Sequence, residues 1–99
     1  MSVYLNEEMH QLADAVLAEM RTVPAQDKMS KTLGDWASFE RIQKHIHANR
    51  KQTGLYLDTE TLLSLLGILS GRNQIEIGRA HGRGVGYFWI FRPKPEPEP

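Results

Sequence analysis

Cysteine is absent from this chain of 99 residues. Disulfides and thiolate metal sites are therefore excluded, and the redox compartment is unreadable. Long apolar runs are missing too: no stretch approaches the ~18 residues that mark a membrane-spanning helix. The opening MSVYLNEEMH has neither the basic nor the apolar region of a secretory signal. The expectation is a cytoplasmic protein with no membrane partner. Lys and Arg are absent from residues 1–20, which carry the acids Glu7, Glu8, Asp14 and Glu19.

Signatures of catalysis and nucleotide binding are also lacking. The run Gly82-Arg83-Gly84-Val85-Gly86 has no GK[ST] after it and leads into no helix. Its glycines read as turn residues that need positive φ. The 4 histidines are His10, His45, His47 and His81. His45 and His47 point to different faces of a helix, and no carboxylate stands at ligand spacing. Asp58-x-Glu60 is accounted for by helix capping. No nucleophile, base and acid form a visible set. The expectation is no enzyme, no metal and no cofactor.

What is present amounts to one domain over residues 1–92, with residues 93–99 as a tail. A chain of this size buries roughly 60–65% of the surface its unfolded form exposes, enough for one modest core. The net charge of +0 is unevenly spread. All 12 Lys and Arg lie in residues 21–94, against Asp27, Asp35, Glu40, Asp58, Glu60 and Glu76, a local balance of +6. Such asymmetry points to an anionic partner, though two solvated faces that merely differ would give the same pattern.

Three helices follow from apolar spacing. Leu5, Met9, Leu12, Val16 and Met20 recur at steps of four and three over residues 6–20, with Ala13 and Leu17 beside them. Asn6 is placed to cap this helix. The stripe is wide enough to be core alone or to be shared with a second copy, a homodimer through residues 5–20. Residues 21–35, broken by Pro24 and Gly34, form a connector.

The second helix spans 36–51, with Asp35 as its cap. Trp36, Phe39, Ile42 and Ile46 fall on one side, and Arg41, Lys44, His45 and Lys51 on the other. That basic face suits solvent or phosphate. Gly54 stops the helix. Asp58 caps the third, DTETLLSLLGILSG, with Leu57 and Leu62 as a hydrophobic staple. Its leucines leave only Glu60, Thr61, Ser64 and the Gly67 gap to water, and Gly71 ends it.

Two strands close the domain. Ile75 and Ile77 alternate with Gln74 and Glu76, the period of a half-buried strand. The second strand carries Tyr87, Trp89 and Phe91 on one face and Phe88 and Ile90 on the other, so one aromatic row is only partly covered. Pro93 ends pairing for want of an N–H. PKPEPEP is expected to be a disordered, extended tail. The loop between the strands gathers Arg79, His81 and Arg83, with Arg72 and Arg92 near its base.

Three helices followed by a two-stranded hairpin with a basic loop resemble the winged helix-turn-helix superfamily of DNA-binding domains. The segment LDTETLLSLLGILSGRNQIEIGRAHGRGVGYFWIFR carries the resemblance, which covers roughly residues 5–92 at the level of fold. It implies an α+β domain in which the second and third helices form the helix-turn-helix and the hairpin is the wing. The chain departs from the pattern in two ways. Residues 59–70 contain no Arg, Lys, Asn or Gln, the residues that pair with base edges. The connection KQTGLYL is longer than the compact turn of the motif.

The expected function is therefore a small binder of double-stranded DNA, a transcriptional regulator or a plasmid or phage accessory factor. Its contacts are expected from the wing (Arg79, His81, Arg83), the basic side of the second helix (Arg41, Lys44, Lys51) and Arg72. The alternative is a winged-helix module for a protein partner, docking through the aromatic strand 87–91.

Overall fold

A computed structural model describes residues 3–23, 36–82, 84 and 86–95, with side chains from residue 7 onward. The fold is α+β. Its elements are α1 (Val3–Thr22), β1 (Ala37–Ser38), α2 (Phe39–Ala48), α3 (Arg50–Thr53), α4 (Thr59–Gly71), β2 (Ile75–Gly82) and β3 (Gly86–Pro93). The described residues thus hold four helices where three were expected, and an antiparallel sheet of three strands, ordered β1-β3-β2, where a hairpin of two was expected.

Among the described residues, the apolar stripe of α1 faces the core. Ala13, Val16, Leu17 and Met20 are buried, with Met9, Leu12 and Ala15 packed beside them. The outward side of the helix, including Glu7, Glu8, His10, Gln11 and Asp14, is polar. The helix also begins earlier than its capping pattern suggested, so Asn6 falls inside it.

The stretch Trp36-Ala37-Ser38 corrects the expected second helix. Ala37 pairs with Phe91 and Ser38 with Ile90 as strand β1. Ser38, with extended backbone at ψ 160°, is the helix cap in place of Asp35: its Oγ accepts the Arg41 N–H at 3.2 Å. A helical wheel placed Trp36 with Ile42 and Ile46, but three residues satisfy either period, and the edge of β3 offered the hydrogen bonds.

The same helix also breaks at Asn49. Its N–H is shared between the carbonyls of His45 and Ile46, and its side chain donates to the His45 carbonyl at 3.0 Å. Lys51 consequently belongs to the one-turn α3 and not to the basic face of α2. Gly54 ends α3 at φ 76°, as its position suggested.

Helix α4 is the centre of the core. Leu62, Leu65, Leu66 and Leu69 are buried, and Leu57 packs against the same cluster. Asp58 caps it, accepting the Thr61 N–H at 2.8 Å. Leu63, expected inside, is exposed. The helix ends at Gly71, with Arg72 as its C-cap, and the chain leaves it through the residue that follows. Asn73 takes the left-handed conformation at φ 61°, its N–H donating to Ser70 O while the N–H of Gln74 reaches Leu69 O. These are the paired closing bonds of a Schellman motif, with Asn in the place glycine usually holds.

Gly82 pairs with Gly86, so β2 and β3 are joined by residues 83–85. Gly84 and Gly86 have φ of 79° and 72°, a conformation costly for a residue with a Cβ. At the other end Pro93 is still paired, opposite Ile75, and the Lys94 N–H donates to Gln74 O. Pairing thus outlasts the boundary expected at residue 92. Proline is tolerated because the missing donor sits at the last position of the strand. Residues 96–99 of the expected tail, and residues 24–35 of the connector, lie outside those described.

Candidate functional site

The register of the hairpin builds the site. Odd-numbered residues of both strands share one face, with Ile77 opposite Phe91, Arg79 opposite Trp89 and His81 opposite Tyr87. At the base this face enters the core: Ile75 and Phe91 are buried, and Phe91 meets Phe39 edge-on with centroids 6.5 Å apart. Toward the tip the same face leaves the helices behind. Ile77 is 44% exposed, Trp89 58% and Tyr87 71%. The aromatic row expected to act as one is therefore split: Phe91 is core, while Tyr87 and Trp89 are surface.

Arg79 organises the exposed part. Its guanidinium carbon lies 5.5 Å from the Tyr87 ring centroid and 5.8 Å from that of Trp89. His81 meets Tyr87 edge-on at 5.0 Å. A planar cation beside two rings is held by their quadrupoles and remains in water. Among the described residues this face carries no acid.

The opposite face of the hairpin is occupied. Trp36 lies against Gly78, where a Cβ would meet its ring at 3.4 Å. Arg92 covers the Trp36 ring at 4.4 Å and also pairs with Glu76, its partner across the strands. Ile90 is buried and Phe88 is half-buried.

The other expected contacts are dispersed. Arg41 is half-buried at the start of α2, and Lys44 is an exposed residue 3.0 Å from Glu40 one turn earlier. Such a pair is worth little in water and leaves the ammonium available. Lys51 is exposed on α3. Arg72 forms the C-cap of α4, half-buried and paired with Asp14 of α1, which makes it a clamp between helices. Arg83 lies outside the described residues.

Asp58 has its carboxyl held below the usual carboxylate range, first by a side-chain hydrogen bond with Thr61 and then by the backbone bond to the same residue. The cause is capping. Among the described residues no group of three or more His, Asp or Glu is placed to hold a metal ion. A cleft of about 280 Å³ lies between α2 and the segment leading to α4, lined by Ile46, Leu55, Leu57 and Tyr56 with His47, Arg50 and Asp58. No helix of the described residues is long and apolar enough to cross a membrane.

No protein-family model matches the chain, and no curated protein matches it at a significant level. The residues are therefore read on their own chemistry.

Two contributors escaped the sequence reading. Ile77 was expected on the half-buried side of its strand, yet it widens the exposed patch. Trp36, expected in a helix, is the plate that backs the hairpin. Nothing local signalled the first: Ile77 lies opposite the buried Phe91, and its exposure is set by where the helices stop covering the sheet.

Proposed function

We propose that the chain is a winged-helix domain that binds DNA through its wing. One observation carries the reading. Arg79 stands exposed between Tyr87 and Trp89, with His81 alongside, on a face that carries no carboxylate among the described residues. A cation with no carboxylate on its face, at the projecting end of a sheet, suits a phosphate backbone or a groove. The order of elements, helices first and the hairpin last, supports the winged-helix assignment.

The third long helix, α4, supports this division of labour. Its outward residues include Glu60, Leu63, Ser64, Gly67 and Ser70, none of which pairs bidentately with a base edge. Lys44 and Lys51, both exposed, are proposed as phosphate contacts, as is the half-buried Arg41 at the start of α2. Arg83 is proposed as the second arginine of the wing. About four phosphate contacts give a log–log salt slope near −4 in a fluorescence-anisotropy titration against duplex DNA. Absence of binding to any DNA, paired or unpaired, at about 50 mM salt overturns the reading.

A second reading, docking of a protein partner on the hairpin, is favoured by the exposure of Tyr87, Trp89 and Ile77 together. A pull-down that recovers only nucleic acid counts against it.

A further inference from the structure

We propose that the outer face of the hairpin takes unpaired bases, so that the protein prefers single-stranded or locally melted DNA to intact duplex. The proposal rests on the reading of the wing as a DNA contact and names the form of DNA that the contact selects.

Tyr87 and Trp89 are two residues apart on one face of β3, so their Cα atoms stand roughly 6.7 Å apart along the strand. Bases in a duplex are stacked at about half that spacing, each covered on both faces by its neighbours. An intact duplex has no free π-face to give these rings. An unpaired strand has one at every base, and its backbone extends to the wider spacing. Base–aromatic stacking of this kind is indifferent to sequence.

The rings are pre-positioned for it. Arg79 lies 5.5 Å from the Tyr87 centroid and 5.8 Å from that of Trp89, and His81 meets Tyr87 edge-on. Fixing two side chains before binding lowers the ordering cost on association. Charge favours the same occupant. The patch of Ile77, Arg79, His81, Tyr87 and Trp89 has a cation and no acid, whereas Glu76 and Arg92 neutralise each other on the other face. A purely apolar partner would leave the Arg79 charge uncompensated. A polyanion with aromatic bases satisfies both components of the patch.

The test uses the full chain with three probes: a blunt duplex, the same duplex with a central run of mismatches, and a dT oligonucleotide. Trp89 emission is read alongside anisotropy, and Trp89→Phe separates its signal from that of Trp36. The expected result is binding about tenfold tighter to the mismatched duplex and to dT than to the blunt duplex, with Trp89 quenched. Tyr87→Ala and Trp89→Ala remove that preference while leaving the thermal midpoint in place, since both side chains are exposed.

Equal affinity for all three probes with unmoved Trp89 emission overturns this proposal and leaves the DNA reading standing. No binding to any probe overturns both. Quenching of Trp89 with rising protein concentration in the absence of DNA also overturns it, in favour of a second copy on this face.

Discussion

The guanidinium of Arg92 lies 4.4 Å from the centroid of the Trp36 ring, and Glu76 grips the same guanidinium from the neighbouring strand. This stack joins the residue before β1 to both strands of the hairpin. A cation over a ring is worth about 1 kcal/mol when partly exposed, and a directly opposed charge pair adds a smaller amount. Arg92→Ala is expected to lower stability by about 1–2 kcal/mol in urea denaturation. Arg92→Lys keeps the charge but loses the flat plate, and should fall between the two.

Adjacent leucines on α4 should behave oppositely. Leu62 is 1% exposed and Leu63 is 50% exposed. Leu62→Ala is expected to cost about 2–5 kcal/mol through lost burial and the cavity left behind, and Leu63→Ala less than about 1 kcal/mol. Equal costs in chemical denaturation would mean that the helix is rotated from the orientation described.

Asn73 holds a left-handed conformation without being glycine. Asn tolerates this position better than residues with an apolar Cβ branch. Asn73→Ala is expected to cost about 1 kcal/mol, and Asn73→Gly less, because glycine relieves the backbone while giving up the contact with Lys94. Thermal midpoints rank the three proteins.

The cap of α4 should titrate. The Asp58 carboxyl is held low in the folded chain by its hydrogen bonds with Thr61. A depressed folded value means that the ionised cap stabilises the protein above the unfolded carboxylate pKa. That contribution is lost as pH falls through the folded value. The stability gap between the native sequence and Asp58→Ala is expected to narrow in acid, and a gap constant from neutral to strongly acidic pH would contradict this.

Two arginines should separate structure from binding. Arg72 clamps α4 to α1 through Asp14, whereas Arg79 is exposed on the wing. Arg72→Ala is expected to lower stability by about 1 kcal/mol with DNA affinity within about twofold of native. Arg79→Ala should leave the midpoint unchanged and weaken DNA binding by about tenfold. The opposite pattern in paired denaturation and anisotropy measurements would return Arg72 to the interface.

Local chemistry was readable from residues alone wherever neighbours in sequence decide the outcome. Asp58 caps its helix, Gly54 closes α3, Gly84 and Gly86 take positive φ, and Val16, Met20, Ile42, Ile46, Leu62, Leu65, Leu66 and Leu69 reach the core. Each follows from spacing of a few residues or from one side chain meeting one backbone group. The α+β class followed from the same patterns.

What lay beyond reach needed a partner distant in sequence. Trp36 became the lead-in to a strand because β3, more than fifty residues later, had a free edge. Arg72 was drawn to Asp14 across 58 residues. Alternation in β3 put Tyr87, Trp89 and Phe91 on one face, but only the docking of the sheet on α1, α2 and α4 decided that Phe91 is covered while the other two stand in water. Periodicity determines which side chains share a face. What covers that face is set by packing over long distances in sequence, and on this hairpin the cover ends between Phe91 and Trp89.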